Sequence, residues 1–458
     1  MMDRVIKSMI HVMQKQVRQF GRSIALVAAL VISGNASGQT APQPAPAPTP
    51  PTPPPANLAS LSAMAEAPKW SSLTLLSKTM SKEEFVTALE TFYSDGSAFP
   101  APWDVEEKAV VVKTGDPAAP TVRIEFLQPK EKAADLPRFW RRVDELPPLK
   151  GRPPLSDLHI ALDPGHIGGA YAKIEERFLS FAPGESIQEG DLSLLTAQLL
   201  KKRLETLGAV VNLVRENSEP VTSFRPADLR LIAQSVLRDA GVPMPVENYD
   251  PTSGDAKILT TQWQSEKLFY RVSEIRARAK KVNEKLKPDI VFCLHFNAES
   301  WGDATLPQFS PQNHLHVLIN GCFSPLELTS QDVRYEMIGR VFSKAHAIEL
   351  PLAEAVADSL ASTTGLPPYV YTTTNAKRVG ANSYVYARNL LANRLYECPV
   401  IYLEPFVMNH QETYQRLLLG HFQGRTLVGG KLRASAISDY VEGVVQGLLK
   451  YSQNKRAN

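Results

Sequence analysis

The chain has 458 residues, more than one hydrophobic core usually organises, so two domains plus unstructured segments are expected. Its composition is that of a globular protein, and a formal net charge of +3 is too small to suggest a nucleic-acid binder. Three cysteines, Cys293, Cys322 and Cys398, are too sparse for a disulfide framework, and zinc-finger spacing is absent.

The first 38 residues read as a secretory signal peptide. Arg4, Lys7, Lys15, Arg18 and Arg22 precede a short apolar core, "IALVAALVI", and "ASG" at 36–38 supplies small residues for cleavage. The apolar run is too short to cross a bilayer comfortably, so no stable membrane span is expected after cleavage. An exported protein, periplasmic or associated with the cell wall, is the expectation. Residues 39–67 follow as a Pro/Ala-rich linker, extended and semi-rigid.

Residues 68–135 read as a small α+β module. "SKEEFVTALETFYS" opens with a serine cap and acids in the first turn, with Phe85, Leu89 and Phe92 at helical spacing. Two β-branched runs, "AVVVKT" and "TVRIEFL", flank the turn-prone "GDPAAP". No catalytic constellation falls in this module. Residues 136–155, rich in proline, read as a connector.

From 156 to 454 strands and helices alternate, which predicts a three-layer α/β fold, an open twisted sheet flanked by helices. Strand "LHIAL" precedes a helix in which Leu192, Leu195, Leu199 and Leu207 share a face and Gly208 caps the end. Then come "AVVNLVR", a long helix ending near Lys287-Pro288, "DIVFCLHFN", "HLHVLIN", a helix closed by Gly365, "CPVIYLEPF" and a C-terminal amphipathic helix. Insertions are placed at about 226–270 and at 321–348. The second could fold as a peripheral excursion or, over 326–345, as a lid, since long insertions at an active edge often gate access.

Chemistry gathers at one edge of this sheet. In open α/β sheets ligands bind outside the carboxyl ends of the strands. His166 lies just past the first strand, in the glycine-rich turn "DPGHIGG", while His295 and Glu404 end two later strands. Glu189 opens the helix after the first strand and can face the same edge. Two imidazoles and a carboxylate with an open fourth position make a hydrolytic zinc site, and a further carboxylate can act as proton acceptor and donor. The four residues fit those roles. His159 suits a core or edge position, and His346, His410 and His421 suit solvent. His314 and His316 alternate on a strand with no matching carboxylate apparent nearby. Cys293 shares the side of His295, but a thiolate there would fill the position that catalysis needs.

The stretches "LDPGHIGG", "QEGDLSLLTAQLLKKRLETLGAVVNLVR", "RARAKKVNEKLKPDIVFCLHFNAES" and "CPVIYLEPFVMN" occur in that order. Together they resemble the zinc-dependent N-acetylmuramoyl-L-alanine amidases of type 3 over residues 156–452. The resemblance implies one Zn2+ per catalytic domain, held by His166, Glu189 and His295, with Glu404 as general base. It implies cleavage of the amide between N-acetylmuramic acid and L-alanine of the stem peptide, with peptidoglycan as substrate and room for an activator protein. Two departures stand out. The loop between His166 and Glu189 is longer than the family pattern and carries Glu175, Glu176 and Glu185 as alternative ligands, and "EPFVMN" replaces the usual Glu-x-Gly-Phe. A catalytically silent wall-binding or regulatory protein, and a zinc peptidase cutting another amide, are the competing readings.

Overall fold

The computed structural model describes residues 57–97, 101–252, 256–300 and 307–456, so the leader and most of the Pro/Ala-rich linker lie outside the described residues. The chain divides into two compact units, Phe224–Arg271 in one and Ala45–Ser223 with Val272–Asn458 in the other.

Helix α1 (Lys82–Ala88) begins at Ser81, whose hydroxyl accepts from the amide of Glu84 while the Glu84 carboxylate accepts from the amide of Ser81, the reciprocal cap its sequence announces. Strands β1 (Trp103–Val105), β2 (Ala109–Lys113) and β3 (Thr121–Glu125) form an antiparallel sheet in that order. Next come β4 (His159–Pro164), the hairpin β5 (Phe178–Ala182) and β6 (Glu185–Gln188), helix α2 (Glu189–Thr206) and β7 (Val210–Leu213). Helices α3 (Arg230–Asp239) and α4 (Thr261–Lys267) belong to the smaller unit and pack on each other. The larger unit resumes with α5 (Glu274–Lys280), β8 (Ile290–Leu294), β9 (Leu315–Ile319), α6 (Gln331–Ser343) and α7 (His346–Thr364). It ends with β10 (Lys377–Arg378), β11 (Val385–Ala387), α8 (Leu391–Leu395), β12 (Val400–Pro405), α9 (Gln411–Leu418) and α10 (Ala436–Arg456).

The main sheet runs β10-β11-β9-β12-β8-β4-β7. Strands β12, β8, β4 and β7 are mutually parallel, and β9 runs antiparallel to β12. This is the expected mixed α/β architecture with a mostly parallel central sheet. Side chains of opposite parity enter different layers. Ile160, Leu162, Phe292, Leu294, Ile401 and Leu403 meet the core built with α2, α7 and α10, whereas Ala161, Val291, Cys293 and Val400 meet Ala279, Val282, Ala392 and Tyr396. Leu192 of the leucine face read from sequence is buried as expected, but the rest of the buried stripe of α2 is displaced from that face by a position or more. Ala197, Leu200 and Leu204 are fully buried, whereas Leu195 and Leu199 only flank the core and Leu207 lies past the helix end.

The segment 321–348 is not a lid. Val333, Met337, Ile338, Val341 and Phe342 of α6 are buried in the same core as Phe85, Val110, Ile124 and Phe126 of residues 68–135. Phe342 packs at 5.3 Å from Phe85 and 6.5 Å from Phe126, centroid to centroid. His346, expected in solvent, lies 4.9 Å from the ring of Phe92 and within hydrogen-bond reach of the Tyr93 hydroxyl, because the start of α7 belongs to that core. Fully buried Arg334 donates to the carbonyls of Leu58, Lys113, Thr114, Leu328 and Thr329, joining chain segments far apart in sequence. Arg334→Met strands these acceptors and is expected to cost about 3–5 kcal/mol, read as a lower urea midpoint in equilibrium unfolding. A midpoint unchanged from wild type would show that the carbonyls find other donors.

Candidate metal centre

His166, Glu189 and His295 reach a common point from three elements. His295 follows β8, and its amide donates to the carbonyl of Leu403 on β12, which fixes its height at the sheet edge. Its ring stacks on Tyr402 at 4.3 Å between centroids and 17° between planes. Glu189 is the first residue of α2, buried, with Oε1 2.9 Å from His295 Nδ1 and Oε2 3.3 Å from His166 Nε2. One candidate donor atom from each residue lies within 4.8 Å of the others, and this is the cluster of metal-ligating type found among the described residues.

The turn that carries His166 is built for close approach. His166 adopts φ +56°, a left-handed conformation that a side-chain-bearing residue holds only when its surroundings enforce it. The enforcement comes from Arg278, buried on α5. Its Nη2 donates to the carbonyl of His166 at 2.7 Å and its Nη1 to Asp163 and the carbonyl of Pro164, while Nε pairs with Glu274 at 2.7 Å. Gly165 leaves space that the His295 imidazole fills: a Cβ there would lie 2.3 Å from the ring. At Gly168 and Gly190 the turn meets the first residues of α2 backbone to backbone, with a Cβ on Gly190 falling 2.2 Å from the amide nitrogen of Gly168. The glycines therefore admit a second histidine and a helix start, and the histidines and Glu189 converge because of it.

The loop acids sort themselves by geometry. Buried Glu175 accepts from the amides of Ile167 and Gly168 at 2.9 and 3.0 Å and stands 3.3 Å from His166 Nδ1. It faces the ring nitrogen that points away from Glu189 and belongs to the support of His166. Burial pushes its carboxyl pKa up, against the pull of those amides. Glu185 sits on the hairpin, exposed, and Glu176 occupies a left-handed turn. Neither belongs to the cluster.

Glu404 occupies the next strand. It follows the β12–β8 pair Leu403↔Leu294 and pairs across β9 with His316. Burial, reinforced by the Glu189 charge, pushes its carboxyl up to about 7 despite the pull of His295. Glu189 moves the other way. Burial raises it, but the charge of His166, the hydrogen bond and charge of His295, and Arg177 bring it to about 2. Two neighbouring carboxyls are thus driven apart, one held as an anion and the other poised to exchange a proton near neutrality.

Several participants were not read from sequence. Glu299 stands 2.8 Å from His314 Nε2 and is the carboxylate not read beside that histidine pair, yet His314 and His316 are not part of the cluster. Tyr402 and Arg177 were also missed, as was the β5–β6 hairpin, and Arg278 was placed on its helix without a role. The hairpin had a signal: Pro183-Gly184 between "FLSFA" and "ESIQ" is a turn between two short extended runs. Cys293 is fully buried beneath the sheet edge, with its thiol pushed well up by burial.

The donor set suits zinc. Two imidazole nitrogens and a carboxylate oxygen match the nitrogen and oxygen ligands of a catalytic zinc site, and no thiolate competes for a fourth position. No protein-family model matches the chain, and no curated protein matches it. Solved structures similar to it are N-acetylmuramoyl-L-alanine amidases. One is the apo form of Ami1 from Mycobacterium abscessus, 16% identical over 65% of this chain and 99% of its own, with a TM-score of 0.34. AmiC2 of Nostoc punctiforme is 15% identical over 65% of this chain and 99% of its own, at 0.33. CwlD of Clostridioides difficile, solved in complex with the GerS lipoprotein, is 14% identical over 64% and 96%, also at 0.33. At TM-scores below 0.5 these likenesses carry no weight for the site, whose reading rests on its own residues.

Proposed function

We propose that the chain is an exported, zinc-dependent amidase of the type 3 N-acetylmuramoyl-L-alanine amidase family that acts on peptidoglycan. The observation that carries this reading is the convergence of His166, Glu189 and His295 within 4.8 Å at the sheet edge where β12 carries Glu404 near its end. These three side chains would hold the ion, which when bound supplies a Lewis acid for the amide carbonyl and acidifies a coordinated water. Glu404, with its carboxyl raised to about 7, takes the proton of the attacking water and passes it to the departing L-alanine nitrogen. Tyr402 and Glu175 hold the two imidazoles from behind, so the acceptor and the ligands keep a fixed separation.

The organisation proposed with this activity is a cleaved leader, a linker, a small α+β module at 68–135 that shares the core of the larger unit, a connector, and a catalytic domain over 156–454. Among the described residues no helix is long and apolar enough to cross a membrane. An activator protein remains part of the proposal as the resemblance implies it.

The test is digestion of purified sacculi with zinc-loaded and chelated protein, followed by mass analysis of the products. Release of intact stem peptides beginning with L-alanine, only with metal, supports the amidase. Fragments cut within the stem would assign a peptidase, and bound but unchanged sacculi a silent wall-binding protein.

A further inference from the structure

The long loop between the two candidate ligands contributes a residue that neither the ligand set nor the proton acceptor accounts for. Arg177 stands immediately before β5, at the base of the hairpin. Its amide donates to the carbonyl of Ala172 at 2.8 Å, and its own carbonyl accepts from the amide of Glu189 at 3.2 Å. Nη1 donates to the carbonyl of Glu176 at 2.9 Å, which sets the direction of the side chain. Nε then lies 3.0 Å from Glu189 Oε2. Arg177 is thus tied to Glu189 through both main chain and side chain.

The other oxygen of Glu189 is engaged differently. Oε1 lies 2.9 Å from His295 Nδ1 and 3.3 Å from the amide of Phe296. A guanidinium is permanently charged, so a positive charge is fixed against a carboxylate that also has to face a divalent cation. That arrangement opposes tight metal binding. It also withdraws electron density from Glu189, which leaves a bound cation less neutralised and a stronger Lewis acid.

We propose that Arg177 is a positioning residue that tunes the metal centre through Glu189, trading metal affinity for the electrophilicity of the bound ion. This rests on the metal reading of the site. A purely structural role makes the opposite forecast: if Arg177 only steadied Glu189, losing it would weaken metal binding. The Arg177 side chain is 29% exposed, so solvent screens its charge and an effect of about ten-fold on affinity is expected rather than the far larger value of a dry interior.

The experiment uses the full chain as wild type, Arg177→Gln, Arg177→Lys and the apolar Arg177→Met, with zinc affinity measured by competition against a chromophoric chelator. Arg177→Gln and Arg177→Met are expected to bind zinc about ten-fold more tightly, with kcat on sacculi lower by about ten-fold and KM little changed. Arg177→Lys, which keeps the charge, is expected near wild type in both. Equal or weaker zinc binding by the Gln and Met variants, or a Lys variant that behaves like them, overturns the proposal. Circular dichroism and melting of the metal-free variants show which of them are folded and enter the comparison. His166→Ala separates the two levels of inference. If wild type binds no zinc, or binds it equally without His166, the metal reading fails as well; if zinc binding depends on His166 but ignores Arg177, only the present proposal fails.

Discussion

Glu404→Gln is expected to keep zinc and lose about 10³-fold in amide hydrolysis, because the amide side chain can neither accept the water's proton nor return it to the leaving nitrogen. The metal content of the purified variant and its release of stem peptide check both halves, and a fully active variant would sink the mechanism. The same substitution has a signature in the metal-free protein. The folded-state pKa of Glu404 is raised to about 7 from an ordinary 4.5, with burial as the main cause. Between those values the native state holds more protons than the unfolded state, so stability falls as pH rises, and the loss is complete above about 7. Glutamine does not titrate and escapes it. The melting temperature of Glu404→Gln relative to wild type, both chelated, is therefore expected to climb between pH 5 and pH 8. A constant gap would mean that Glu404 is an ordinary solvated carboxylate.

Gly165→Ala is expected to weaken zinc binding by about 100-fold while the protein stays folded. Its Cβ would fall 2.3 Å from the His295 ring, and that ring cannot retreat because Tyr402 stacks on it at 4.3 Å. Gly190→Ala should behave differently. Its Cβ meets the backbone of Ile167 and Gly168 at 2.5 and 2.2 Å, so the His166 turn and the start of α2 must separate. There the loss is expected in the melting temperature of the metal-free protein as well as in zinc affinity. If both variants lose only metal affinity, the contact between turn and helix contributes little to folding. Chelator competition and thermal melts on the same samples distinguish the cases.

His166, His295 and Glu404 could be placed at one edge because an apolar run ending in a polar residue marks both a strand and its carboxyl end, and parallel strands bring those ends together. Glu189 was legible for a similar reason, as the first residue of a long helix following the first strand. The loop between the two candidate ligands was less legible. "AYAKIEERF" has neither helical nor strand periodicity, so nothing local says that Glu175 turns inward onto the amides of the His166 turn while Arg177 turns onto Glu189. Both placements depend on a hairpin whose own anchor, Tyr414 on α9, lies more than two hundred residues away in sequence and holds Phe181 through a backbone hydrogen bond and an edge-on ring contact.

The 321–348 segment illustrates the same limit. Its apolar positions announce a helix with a buried face but cannot name what covers it. Long-range packing decided that, pairing α6 with Phe85 and Phe126 and making a core element of a stretch whose position suggested a gate.

By itself the sequence determined the alternating α/β order, the strand ends and the residue types available for chemistry, since each follows from periodicity and turn chemistry along neighbouring positions. Only the tertiary structure decided which carboxylate faces which imidazole, what holds His166 in its left-handed turn, and that an arginine stands against Glu189. Those outcomes depend on distances between segments far apart along the chain, and local propensity carries no information about them.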